Sequence, residues 1–198
     1  DQRPLPDDPD NWSGIMRSLK SAMIVPSQDR GLVQPCGVFN SKGSYCHDAV
    51  LWRGKPLMVS PPKPAAADMA ERLEGTYLWG GVIHGHFGHF LVESLGRTWG
   101  YHAHKGKIDG VLFVEKRGNA SEDDKRPVRW HSADQPVLRE FQREVFAQLG
   151  ITCPIGLVAA PVRVETLVVP GQGFGMGAMA AGTPAYRSAV HDHFGKDI

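Results

Sequence analysis

Gly80-Gly-Val-Ile-His-Gly-His-Phe-Gly-His-Phe-Leu-Val-Glu-Ser-Leu-Gly-Arg97 is the stretch on which the reading of this chain turns. Its first residues end an apolar run, Tyr77–Ile83, that reads as a strand. The residues beyond that run have helical periodicity from near His86 to about His104. At about 100° per residue, Phe87, Leu91, Leu95 and Trp99 share one stripe, and His86, His89, Glu93 and Arg97 fall roughly opposite. A face that only had to meet water would more naturally carry Lys, Glu and Gln, which form helix better than His and stay hydrated at less cost. The polar stripe is therefore expected to form one wall of an active site.

Downstream, Gly110–Glu115 (Gly-Val-Leu-Phe-Val-Glu) fits a buried parallel strand, and Lys116–His131 is a polar loop containing the glycosylation triplet Asn119-Ala-Ser121. Asp134 as N-cap and Pro136 in the first turn open an amphipathic helix through Val137, Leu138, Phe141, Val145, Phe146 and Leu149, closed by Gly150. Val162–Val169 is the next strand, Gly171 to Gly182 a glycine-rich loop, and Thr183-Pro184 opens a last helix to about Phe194. This alternation predicts an α/β fold: a Rossmann-like parallel sheet flanked by helices over residues 61–198. Upstream, residues 1–20 read as an arm. Short apolar runs at Ser21–Val25, Tyr45–Arg53 and Pro56–Val59 predict a small β-rich N-terminal appendage within residues 1–60, and Pro64–Leu73 predicts a helix stopped by Gly75.

With 198 residues, 41% of them hydrophobic and 22% charged, the chain can bury a sizeable core. Its 22 basic and 21 acidic residues give a formal charge of +1. No bulk charge therefore favours nucleic acid, and an anion would have to be bound locally. No apolar run approaches the roughly 18 residues of a membrane span, and no signal-peptide core opens the chain. These features predict a cytoplasmic protein. Cys36, Cys46 and Cys153 lack paired spacing and read as reduced thiols.

The histidine segment also carries a resemblance. His89-Phe-Leu-Val-Glu93 followed by Ser-Leu-Gly-Arg97 resembles the His-aromatic-x-x-acid-x-Leu-x-Arg signature of glycosyltransferase family 61, over residues 75–101. His89 would be the motif histidine, Glu93 the acid one turn later and Arg97 the closing basic residue. The resemblance implies half of a two-domain GT-B enzyme that transfers a sugar from a nucleotide-sugar donor to a glycan acceptor with inversion. It also implies a role in bacterial capsular or surface polysaccharide, with no metal and no cofactor beyond the donor substrate, on or near the inner membrane. The family's downstream pattern, an Arg-containing strand and a Gly-Ala loop near the donor, is not found in these residues. A C-terminal donor-binding domain is accordingly expected to lie outside this chain.

Such transfer needs a base for the acceptor hydroxyl and groups to hold the diphosphate. Glu93, with a pKa raised by burial, and His89 are rival bases; Glu93 could instead only fix the His89 tautomer. Arg97 could orient Glu93 or bind phosphate, and His86 could contact substrate. Tyr77 and Trp79 are candidates for sugar contact. Gly173, Phe174 and Gly175 belong to a loop whose backbone could cradle phosphate, although Gly171-Gln-Gly-Phe-Gly-Met-Gly177 departs from a dinucleotide fingerprint. Two alternatives stand beside this: a metal-dependent hydrolase or oxygenase using His84, His86 and His89, and a non-catalytic sugar-binding subunit. Self-association is left open.

Overall fold

The computed structural model describes residues 15–27, 31–53, 55–63, 71–104, 106–116, 126–176 and 182–194. Among these residues nine strands form: β1 (Met16–Val25), β2 (Gln34–Pro35), β3 (Gly37–Phe39), β4 (Met58–Val59), β5 (Glu71–Ile83), β6 (Gly110–Glu115), β7 (Val128–Trp130), β8 (Ile155–Val158) and β9 (Val162–Pro170). Seven of them make one sheet in the order β3-β1-β9-β5-β6-β8-β7, and β2 pairs with β4 in a second, two-stranded sheet. The central four, β9-β5-β6-β8, run parallel, while β1, β3 and β7 are antiparallel to their neighbours.

The chain is thus α/β, but the sheet is mixed rather than parallel. Of the runs predicted to form an N-terminal appendage, Ser21–Val25 lies in this sheet as the inner half of β1, Met58–Val59 lies in the two-stranded sheet, and Tyr45–Arg53 forms no extended strand. Met16 pairs with Pro170 and Ile24 with Val162, so β1 shields the β9 edge that a parallel sheet would have left open. Met16–Lys20, expected in an arm, belongs to that strand; residues 1–14 lie outside the described residues.

Period-two alternation sorts the strand residues onto two faces. Trp79, Leu112, Val114, Val158 and Val162 join Val50, Leu51, Trp52, Leu57 and Met58 in one core cluster. Leu78, Val111, Phe113, Leu157 and Val168 meet Phe90, Leu95, Trp99, Phe146, Leu149 and Tyr186 in the other. The second face is the helical one. Its elements are α1 (Phe87–His89), which widens into a π-turn at Phe90–Ser94, then α2 (Trp99–Ala103), α3 (Glu140–Gln148) and α4 (Pro184–Phe194).

Three further differences from the sequence reading have physical causes. The helix predicted over Pro64–Leu73 falls mostly outside the described residues, and its last part, Glu71–Leu73, is strand. Gly75 is a bulge in that strand at φ +105°, not a helix stop. The helix predicted from Asp134 begins instead at Glu140. Ser132 Oγ accepts from Gln135 N–H and closes a turn first, and Gln142 Oε1 then accepts from Arg139 N–H to cap the helix. Finally, the unpredicted β8 is joined to β9 by only Ala159–Pro161, although β6 and β5 lie between them in the sheet. The four Cα–Cα steps from Val158 to Val162 reach at most about 14 Å. The sheet must therefore curl, bringing the end of β8 back toward the start of β9.

Candidate active site

The site lies where β5 ends. Gly81 has φ +91°, and a Cβ there would come within 3.3 Å of the Arg97 side chain. Glycine at this position permits both the close approach and the bulge at which β5 shifts register against β6 between Trp79 and Gly81. His84 is next beyond the strand, held at both backbone groups: its N–H donates to Ser94 Oγ at 3.0 Å, and its carbonyl accepts from Gln142 Nε2 at 2.9 Å.

The single helix expected from His86 to His104 is broken. Gly85, Gly88 and Gly96 give the segment little helix propensity, and the π-turn rotates its faces. Phe90 is fully buried, whereas Phe87, on the predicted apolar stripe, is 53% exposed. Glu93 and Arg97 of the polar stripe both point inward, at 4% exposure each.

Glu93 is the centre of the cluster. Arg53 donates from Nε to Oε1 at 2.8 Å, and from Nη2 to Oε1 at 2.6 Å and Oε2 at 2.5 Å. His89 Nδ1 lies 2.6 Å from Oε2, one helical turn away, and 3.4 Å from Arg53 Nη2. The shorter contact to a carboxylate places the proton on Nδ1 and leaves Nε2 with its lone pair. His84 Nε2 is 3.7 Å from Glu93 Oε2. The rings of His84 and His89 stack at 5.4 Å, and exposed His86 meets His89 edge-on at the same separation.

Exposure separates the roles of these groups. The Glu93 side chain is 1% exposed and that of His89 42%. Burial alone would push the Glu93 carboxyl up, but hydrogen bonds from Arg53 and His89 outweigh it and hold the group below its ordinary value. The raised pKa expected of Glu93 as a base is thereby reversed, and Glu93 is an ionised, oriented partner. His84 is pushed down to about 4, chiefly by burial, against the opposing pull of Glu93.

These shifts set an acid sensitivity. Unfolded His84 takes up a proton near pH 6.5, whereas the folded residue stays neutral until about pH 4. Stability present above pH 6.5 is therefore lost progressively down to pH 4, on the order of 3 kcal/mol for a shift of this size. The lowered Glu93 carboxyl adds a further loss on acidification through its own pKa. Urea unfolding between pH 7 and 4 should show this decline, and His84→Asn should flatten it; parallel slopes in the two proteins would contradict the assignment.

Arg97 is placed elsewhere than predicted. Its Nη1 donates to the carbonyls of Asp48, at 2.8 Å, and Pro170, and its Nη2 to the carbonyl of Val50 at 2.8 Å. Burial lowers its pKa only to about 10, so it stays cationic at neutral pH. Rather than meeting phosphate, it clamps the 48–53 segment against β9. Gln172 finishes the clamp: its Oε1 accepts from Trp52 N–H and its Nε2 donates to the Trp52 carbonyl, at 3.0 and 3.1 Å. Arg53 is the next residue, so the two clamps aim its guanidinium at Glu93. Arg97→Met should strand three carbonyls and cost about 3–5 kcal/mol. Arg97→Lys should recover only a minor part, since one ammonium cannot reproduce the fork. Denaturant unfolding of both variants checks this.

The remaining predicted residues lie apart from the cluster. Trp79 is fully buried and donates from Nε1 to the Ala49 carbonyl at 3.0 Å, which makes it a core residue and not a sugar platform. Tyr77 packs against Trp130 at 5.9 Å, seven residues back along β5 from His84, on the order of 20 Å away. In the glycine loop, Gly173 N–H is already donated to the Gly96 carbonyl at 2.6 Å, and Phe174 stacks on Tyr186 at 5.0 Å. A Cβ on Gly96 would sit 2.3 Å from the Phe174 carbonyl oxygen, so Gly173, Phe174 and buried Gly175 seal the loop onto the Gly96 turn instead of cradling phosphate. Residues 177–181 lie outside the described residues.

No family model, curated protein or solved structure matches this chain. Sequence reading assembled His86, His89 and Glu93 but missed Arg53, Gln142 and Gln172. Spacing carries no signal for them, because each comes from a distant segment. Chemistry carries one: a buried glutamate needs a cation to stay ionised.

Proposed function

We propose that this chain takes part in inverting glycosyl transfer from a nucleotide sugar to a glycan acceptor hydroxyl, with His89 as base and Glu93 as its orienting partner. The observation that carries the reading is the 2.6 Å His89 Nδ1–Glu93 Oε2 pair, in which a fully buried carboxylate orients a half-exposed imidazole. His89 Nε2 takes the acceptor proton as the acceptor oxygen bonds to the anomeric carbon. The bond from that carbon to the diphosphate breaks in the same displacement, and the nucleotide diphosphate leaves. Glu93 stabilises the imidazolium that forms, as the acid of a catalytic triad does. Arg53 keeps that acid ionised.

The motif His89-Phe-Leu-Val-Glu93 with Arg97 supports assignment to glycosyltransferase family 61 and, through it, one half of a GT-B enzyme acting on bacterial surface or capsular polysaccharide. The carboxyl ends of the parallel strands β5, β6 and β8 fit that proposal, since ligands of open α/β sheets bind beyond strand C-termini. Among the described residues no helix is long and apolar enough to cross a membrane. Incubating the natural protein, with its proposed donor-binding half included, with a panel of nucleotide sugars and glycan acceptors, with chelator present, tests the reading. Chelator-resistant, acceptor-dependent release of nucleotide is expected; release from no donor, or only with added metal, would overturn it.

A further inference from the structure

His84 carries an unexplained feature. Its side chain is nine-tenths buried, yet Nε2 has no hydrogen-bond partner among the described residues. An unmade bond of this kind is destabilising, and such atoms persist where something else satisfies them. The orphan nitrogen lies 3.7 Å from Glu93 Oε2. One nitrogen from His84, one from His89 and one Glu93 oxygen all lie within 4.8 Å of one another. Ligand atoms around a tetrahedral zinc ion are on the order of 3.3 Å apart, given bonds of about 2.0–2.2 Å. The trio is therefore close to that spacing before any ion is bound. Two imidazoles and one carboxylate suit zinc or cobalt, and poorly suit magnesium or calcium, which prefer all-oxygen shells.

Arg53 is the complication and also the key. Its guanidinium holds both Glu93 oxygens, so an ion bound to Glu93 must displace it. The displaced charge need not be stranded, because the Arg53 side chain is already 28% exposed and opens to water. His86, which the sequence placed among the ligands, is exposed and outside the trio. We infer that His84, His89 and Glu93 form a regulatory site for one zinc-like ion, which competes with Arg53 for Glu93 and switches off the His89–Glu93 pair when bound. The switching rests on the proposed transfer reaction; the binding does not. An ion on His89 Nδ1 and Glu93 removes the hydrogen bond that orients the imidazole. Zinc is therefore an inhibitor of this site rather than its cofactor.

The test is calorimetric titration of the full chain with Zn²⁺ and, separately, Mg²⁺. One Zn²⁺ per chain and no Mg²⁺ is expected. His89→Ala, at a half-exposed position, should weaken Zn²⁺ binding by at least about tenfold, whereas Arg53→Ala should strengthen it several-fold by removing the competing cation. That opposite response is the signature of the proposal. No stoichiometric Zn²⁺, or binding indifferent to His89→Ala, or binding weakened by Arg53→Ala, would overturn the site. Nucleotide release measured with and without Zn²⁺ then addresses the switch. Inhibition reversed by chelator is expected, and stoichiometric binding without inhibition would overturn the regulatory role while leaving the transfer reading intact.

Discussion

Replacing His89 by alanine is expected to lower acceptor-dependent transfer by about 10²–10⁴-fold, the usual contribution of a positioned base, while leaving the fold in place. The imidazole is 42% exposed, and its removal opens no core cavity. Glu93 keeps three hydrogen bonds from Arg53 in the variant, so no buried charge is left unpaired. Initial rates and thermal unfolding on the same preparation decide the matter. A rate within about threefold of the parent protein would remove His89 from the chemistry, and a collapse of stability would make it structural.

Glu93→Gln should strike both activity and stability. The amide cannot neutralise Arg53 or accept from it at both former carboxylate oxygens. Breaking one side of a buried pair costs about 3–5 kcal/mol, and the lower end applies because Arg53 can turn toward water. His89 loses the acceptor that fixes its tautomer, so transfer should fall nearly as far as in His89→Ala. The two losses come from different neighbours, and Arg53→Ala separates them: it removes the cation yet leaves the 2.6 Å His89–Glu93 contact in place. Urea unfolding at neutral pH, with rates corrected for the folded fraction, checks both. Parental stability together with parental turnover in Glu93→Gln would contradict the central role given to this carboxylate.

The sequence disclosed local features and hid long-range ones. Tyr77–Ile83 and Gly110–Glu115 read as strands because buried parallel strands are continuous apolar runs, and both are strands in the central sheet. His89 and Glu93 were legible as a pair because i,i+4 spacing survives even in an imperfect helix. By contrast, β1 was read only in part. Its outer half, Met16–Lys20, is polar and largely exposed, and its pairing with β9 about 150 residues later leaves no local trace. Arg97 was misassigned because a charged residue on a polar stripe suggests a ligand. Three main-chain carbonyls around a buried guanidinium are visible only once residues 48–50 and 170 have been brought to it. Trp79 failed likewise: proximity in sequence to the histidines placed it near the site, but strand alternation turned it to the opposite face.

Glu93 holds the proton of His89 on Nδ1 and so presents Nε2 as the bare nitrogen. Long-range ¹H–¹⁵N NMR of histidine-labelled full chain near neutral pH, with His89 assigned by loss of its signals in His89→Ala, reads this directly. The expected result is a proton on Nδ1 and a bare Nε2, with loss of that preference in Glu93→Gln. A proton on Nε2 in the parent protein, or a tautomer unchanged by Glu93→Gln, would contradict it.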